Sequence, residues 1–318
     1  VLDERGQISG RVDELIRIVE QVVNGYQHYL PVKLIVFPEF AIMPIAYPEE
    51  TLLLATSAIS LPNPDIDRLA DKAAELGVYV VPGSFLETDG RWPGCVFNTS
   101  VLVGPGGVLA RYRKVNPLLP LEPCTSPHDI LGYPDEMFPV VSTSIGAIGL
   151  GICYDWLFPE TTRELALRGA EILVRISAWM NPWGAETPTD STTLINRVRA
   201  VENTAYVVAS SLGSSFEHHP PYAWTGGSMV VDYEGRVLAN VADGSGTRFA
   251  VAPIDIHALR VHRRDRRLVF PLAHYRPEAY THMRSAQSPL EPLKDKGKIN
   301  SGVLADRVDE AKRRMGFL

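Results

Sequence analysis

Apolar spacing along the chain changes character several times, and each change marks an element. Val12, Leu15, Ile16, Val19, Val22 and Val23 recur three and four residues apart, which predicts an amphipathic helix near the start. A short unbroken apolar run at residues 33–37 (KLIVF) is stopped by Pro38, as expected of a buried strand. Ile66, Leu69, Ala70, Ala73 and Leu76 repeat the helical stripe up to Gly77, and residues 78–82 return to a β-rich run. Helix and apolar strand in alternation predict an α/β fold.

The middle of the chain departs from that alternation. Residues 96–103 and 108–114 flank Pro105-Gly106-Gly107, a hairpin signal, and residues 227–232 and 236–241 flank Tyr233-Glu234-Gly235 in the same way. Between the hairpins the pattern predicts strand 145–152, helix 159–168, strand 172–176, helix 192–203 and strand 205–210. The second half thus echoes the first, and two sheets packed face to face with helices outside are expected. No Ser/Gly-rich linker precedes residue 284, so residues 1–283 are read as one domain and 284–318 as a C-terminal arm at a subunit interface.

Composition narrows the function. With 318 residues, 45% hydrophobic and 21% charged, the chain can bury one large core. A net charge of −6 gives no general attraction to nucleic acid or an anionic membrane. The basic run Arg263-Arg264-Asp265-Arg266-Arg267 is read as a solvated helix, since no aromatics interleave it. No apolar stretch approaches the roughly 20 residues that span a bilayer, and the charged start, Val1-Leu2-Asp3-Glu4-Arg5, lacks the core of a secretion signal. Cys95, Cys124 and Cys153 are odd in number, widely spaced and without C-x-x-C, which argues against a disulfide framework or thiolate zinc site and for a cytoplasmic location.

The chemistry gathers at strand ends. An apolar strand runs into Cys153 in Gly149-Leu150-Gly151-Ile152-Cys153-Tyr154-Asp155, and Pro159-Glu160 opens a helix just after. Backbone N–H groups at such a junction favour negative charge, so a stabilised thiolate is expected there, beside the plainer reading of a small buried thiol. Glu39 follows the strand KLIVF, at the rim where α/β proteins place their sites. Lys114 ends the first hairpin in Arg111-Tyr112-Arg113-Lys114, either as surface decoration or as a cation for a developing oxyanion.

Taken together, Phe37-Pro38-Glu39, Tyr112-Arg113-Lys114 and the Cys153 segment resemble the nitrilase superfamily of carbon–nitrogen hydrolases in order and spacing, over roughly residues 10 to 256. Arg168-Gly169-Ala170-Glu171-Ile172-Leu173, Arg199-Ala200-Val201-Glu202-Asn203 and Gly226-Gly227-Ser228-Met229 add to the likeness. The resemblance implies a four-layer α-β-β-α sandwich, a homo-oligomer (dimer or higher), and no metal or organic cofactor. It also implies a cysteine thioester mechanism with Glu39 as general base and Lys114 and the Tyr154 N–H at the oxyanion. Glu122, in the loop after Lys114, corresponds to a second glutamate of amidase-type members.

Tyr112-Arg113-Lys114, Glu122, residues 172–175 and Met180-Asn181-Pro182 look closest to the aliphatic amidase and formamidase branch. The chain departs from that branch at Tyr154-Asp155, where two acidic residues are usual, and at Leu118, where an aromatic is. Trp156, Phe158, Trp179 and Trp183 fall on the loops after two successive strands, and Trp156 and Trp179 are read with Tyr154 as substrate-binding, core packing being the alternative. The expected reaction is hydrolysis of a small amide to ammonia and a carboxylic acid. N-carbamoyl amide hydrolysis, with Arg175 on the substrate carboxylate, nitrile hydrolysis and acyl transfer are the alternatives.

Overall fold

A computed structural model describes residues 5–43, 57–122, 124–179, 191–213, 224, 226–241, 246–266, 268–285 and 301–318. Helix α1 (Arg5–Tyr26) and helix α2 (Pro64–Leu76) are the two amphipathic stripes of the first half. Asn63 caps α2 by accepting from the Asp65 N–H, Pro64 fixes its first turn, and Gly77 ends it in the left-handed region.

The first sheet contains β1 (Leu34–Val36), β2 (Ile59–Ser60), β3 (Tyr79–Val81), β4 (Ser84–Thr88), β5 (Phe97–Gly104) and β6 (Gly107–Arg113). Its order is β1-β3-β5-β4-β2, with β6 paired to β5 as the expected hairpin. The second sheet contains β7 (Val140–Thr143), β8 (Gly146–Ile152), β9 (Ile172–Ser177), β10 (Tyr206–Ser211), β11 (Met229–Val231) and β12 (Val237–Asn240), in the order β12-β11-β10-β9-β8-β7. Strands β8, β9 and β10 are parallel, with α3 (Pro159–Leu167) and α4 (Ser191–Asn203) as crossovers. The periodic patterns do not predict the short strands β2, β4 and β7.

Strand alternation divides the apolar residues into three layers. Tyr79, Val81, Leu102, Ala110 and Tyr112 of the first sheet meet Ile148, Leu150, Ile152, Ile172, Val174 and Ile176 of the second. The opposite face of the first sheet packs on α1 and α2, and that of the second on α3 and α4. The expected α-β-β-α sandwich is therefore the observed architecture. Gly149 and Gly151 matter to the outer layer: a side chain at Gly149 meets Leu165 at 3.0 Å, and one at Gly151 meets the Trp156 indole at 2.9 Å.

Parts of the tail are fastened to the body. In α5 (Ile256–Asp265) the basic run is not merely solvated: Arg260 grips Glu171 through two bonds of 2.6 and 2.9 Å, and Arg263 donates to the Thr204 and Ala170 carbonyls. Two short helical turns, α6 (Pro271–His274) and α7 (Thr281–Ser285), precede α8 (Ser301–Arg314). Helix α8 lies on the body of its own chain, with Ala311 buried and Arg307 3.5 Å from Asp129.

Candidate active site

Glu39, Lys114, Glu122 and Cys153 are brought together at one end of the sandwich, and all four are buried. Lys114 is only 2% exposed, so the surface reading of this strand-end lysine does not hold. Its ammonium donates to Glu39 Oε1 at 2.9 Å and to Glu122 Oε2 at 2.7 Å. Burial alone would depress the Lys114 pKa, but the charges of Glu122 and Glu39, with Cys153 and Asp155 beyond them, hold it well above the ordinary value. An ammonium has three protons, so one remains after both carboxylates are satisfied.

Each carboxylate is fixed by further donors. Glu39 Oε2 accepts from the Ala178 N–H at 2.8 Å, which ties the end of β1 to the end of β9. Glu122 Oε2 accepts from the Leu118 N–H at 2.8 Å, closing its loop on itself. The turn that carries Glu39 needs close backbone approach. A side chain at Gly83 would sit 2.1 Å from the Pro38 carbonyl oxygen, and Phe40, with φ of 58°, donates its N–H to Ser84.

Two residues missed by the sequence reading complete the frame. Asn98 Nδ2 bridges the acids, donating to Glu39 Oε1 at 2.9 Å and Glu122 Oε1 at 2.6 Å. Its signal was register: the hairpin sets Thr99 opposite Arg113, which puts Asn98 beside Lys114 on the inter-sheet face. Asp155 is fully buried and accepts from the Tyr112 hydroxyl, the Ile152 N–H and both the backbone and side-chain N–H of Asn116. It thus couples the turn at Cys153 to the segment just after Lys114.

Cys153 sits where β8 breaks into a 3₁₀ turn (Cys153–Leu157), with φ of 48°. A non-glycine residue in this region is strained, a feature often found at functional sites. The first N–H groups of such a turn lack partners within it and face any negative charge that forms. The surroundings favour a protonated resting thiol, as the reading of Glu39 as general base requires. Burial, and then the charge of Glu39, push the thiol up to about 12, outweighing Lys114, Ser177 and Arg175, which pull it down. At neutral pH the resting group is SH.

The aromatic candidates separate. Trp179 packs at the rim of the inter-sheet core, and Tyr154 is half-buried with its ring edge-on to Phe158. Trp156 is not brought to the site. It has no exposure, lies in the outer layer against Gly151, and its carbonyl accepts from Arg199. Trp183 and Met180-Asn181-Pro182 lie outside the described residues. A cavity of about 720 Å³ opens along β1 and residues 248–257, lined by Leu34, Ser144 and Ile256 rather than by the buried acids and thiol. Among the described residues no cluster of His, Cys, Asp and Glu is arranged to hold a metal ion.

Residues 6–264 match the carbon-nitrogen hydrolase family. The deaminated glutathione amidase of Rattus norvegicus is 36% identical over 242 residues, 73% of this chain and 69% of that protein. The chain belongs to the carbon-nitrogen hydrolase family. It is an enzyme of the amidase kind. A formamidase of Bacillus cereus is 28% identical over 239 residues, 75% of this chain and 66% of that one. A carbon-nitrogen hydrolase structure from Helicobacter pylori has the same fold, with a TM-score of 0.70 at 22% identity, covering 88% of this chain and 94% of its own. No helix among the described residues is long and apolar enough to cross a membrane.

Proposed function

We propose that the protein hydrolyses a small amide through a thioester on Cys153, with Glu39, Lys114 and Glu122 as its catalytic partners. The observation that carries this reading is the buried lysine held between two carboxylates, with one N–H to spare, beside a protonated thiol on strained backbone. Glu39 takes the Cys153 proton as sulfur attacks the carbonyl carbon. The third N–H of Lys114 and the Tyr154 backbone N–H receive the oxyanion. Glu39 returns the proton to the leaving amine, and ammonia departs. Water, deprotonated by Glu39, then cleaves the thioester to a carboxylic acid and restores the thiol. Glu122 and Asn98 hold Lys114 and Glu39 at their stations throughout.

A relative named for formamide supports a primary amide as the substrate, whereas deaminated glutathione carries only secondary, peptide-type amides, so the relative named for it supports an amide whose leaving group is a larger amine. Trp179, packed on the cluster that holds Cys153, and Tyr154, next to it in the chain, are the aromatics assigned to the substrate's acyl group in this reading. An N-carbamoyl substrate has lost its best support, because Arg175, the cation weighed for its carboxylate, points into the outer layer under the sheet. Ammonia release from a panel of primary amides, N-carbamoyl compounds and nitriles tests the reading. Release from amides is expected, and release only from the other two classes would overturn the substrate assignment while keeping the nucleophile.

Self-association belongs to the same proposal. Leu194, Val198 and Val201 lie on one face of α4 and are 59%, 41% and 48% exposed, with Leu157 and Leu167 exposed on the neighbouring segment. Such a stripe supports a homo-oligomer through these helices. Light scattering of Val198→Glu, expected to yield monomer, checks it. A cytoplasmic location rests on the cysteine pattern alone.

A further inference from the structure

Arg175 stands out among the charged residues of the second sheet. It is 1% exposed on β9, yet among the described residues no carboxylate pairs with it. Nη1 donates to Asn196 Oδ1 at 2.9 Å, while Nε and Nη2 have no hydrogen-bond partner. The guanidinium is wedged between two indoles, 5.7 Å from the Trp156 ring and 5.5 Å from that of Trp179. Leaving a buried guanidinium part-satisfied is costly, and such a cost in a well-packed layer calls for a function.

Its position supplies one. Arg175 is opposite Gly151 and Ile176 opposite Ile152 in the parallel pairing, so the next step places Ser177 opposite Cys153. Arg175 and Ser177 share a face of β9, and the Ser177 hydroxyl lies beside the thiol and helps pull it down. The charged groups around Cys153 are Glu39 from the end of β1, Lys114 from β6, Glu122 behind it, Asp155 within its own turn and Arg175 beneath. Two carboxylates already claim Lys114, which leaves that cluster with a net negative charge. Arg199, the other buried cation nearby, is committed to the Trp156 carbonyl and Glu202.

We infer that Arg175 is a positioning residue for Cys153: from beneath the sheet it adds a second positive charge to that of Lys114, which two carboxylates already offset, when the thiol ionises. This rests on the reading of Cys153 as nucleophile. Burial brings the arginine down only to about 10, so it stays charged at neutral pH, and its charge and those of Cys153 and Glu39 act on one another. In the attack step the Cys153 proton passes to Glu39, the sulfur becomes negative, and Arg175 opposes that charge without touching substrate.

The test is the pH dependence of Cys153 alkylation by iodoacetamide, followed by mass spectrometry in the full chain, with thermal melting in parallel. In Arg175→Gln the rate at fixed pH is expected to fall about tenfold, its midpoint rising by about one pH unit, and the melting temperature to hold or rise. Arg175→Lys, which keeps the charge, should recover most of the rate. A wild-type profile in Arg175→Gln would overturn the inference, as would equal loss in both variants with a parallel fall in melting temperature. Arg175→Met, which keeps the stem between the indoles, serves if the glutamine variant does not fold, and failure of both neutral variants to fold assigns a structural role instead. Failure of the nucleophile reading shows separately, as Cys153→Ala that still turns over amide.

Discussion

Arg113 and Lys114 are consecutive, both buried and both paired with acids, but they face opposite sides of one strand end and do different work. Arg113 is the more heavily paired of the two. Its guanidinium makes two parallel bonds to Glu87 at 2.9 and 2.6 Å, a third to Asp89 at 2.7 Å, and stacks 4.1 Å from the Phe97 ring. Lys114 faces the inter-sheet layer, makes two bonds to two acids and has a proton left over. A planar fork suits closure of a structural network, whereas a compact ammonium suits one that must accept a new negative charge. The many-membered network stabilises the fold, and the lysine held between two acids keeps an N–H with which to act.

Substitutions at these two sites should therefore separate activity from stability. Lys114→Ala is expected to lower kcat/KM by about 10³-fold or more. Activity within tenfold of wild type would remove the lysine from the mechanism. Arg113→Ala should instead cost about 3–5 kcal/mol of stability, since buried Glu87 loses its paired fork and keeps only Thr99 and the longer bond to Arg111, with kcat per folded molecule little changed. Arg113→Lys should restore only part of it, since an ammonium cannot reproduce the fork. Chemical denaturation measures both, and an unchanged midpoint in Arg113→Ala would refute the structural role.

A smaller effect is expected at Asn98, which touches both acids. Asn98→Leu removes two hydrogen bonds to carboxylates and should lower kcat about tenfold to a hundredfold, while KM stays near wild type. A change in KM alone would point to substrate contact instead of support for Glu39 and Glu122.

The smallest expected effect is a pH signature at Asp155. Burial pushes its carboxyl up to about 6, against the pull of Lys114 and the Tyr112 hydroxyl. A carboxyl raised on folding binds its proton more tightly in the native state, so its contribution to stability falls as pH rises from about 4 to about 6 and is flat above. The stability of the wild type relative to Asp155→Asn should drop across that window, by at most about 3 kcal/mol. A difference that rises with pH there would contradict the buried, partly protonated state.

What the sequence revealed follows the range of the interactions. The helices, the two hairpins and the strand leading into Cys153 rest on local periodicity and turn residues, and they were readable. Glu39, Lys114 and Cys153 were readable as strand-end residues in the order of a known family. Asn98 and Asp155 were not, because their meaning comes from partners 59 and 43 residues away across the sheets. Trp156 looked like a loop aromatic near the nucleophile, but Gly151 leaves a gap on the helix side of β8 into which it turns. How strongly the thiol holds its proton was illegible for a related reason. Local N–H groups favour a thiolate, but burial and the neighbouring Glu39 are properties of the assembled fold, and they dominate.

The most direct test of the account is intact and peptide mass spectrometry after acid quench of turnover on a primary amide, with ammonia release followed alongside. The account requires an acyl adduct on the peptide bearing Cys153, and loss of both adduct and ammonia in Cys153→Ala. Ammonia release that survives this substitution, or an adduct confined to Cys95 or Cys124, would contradict it.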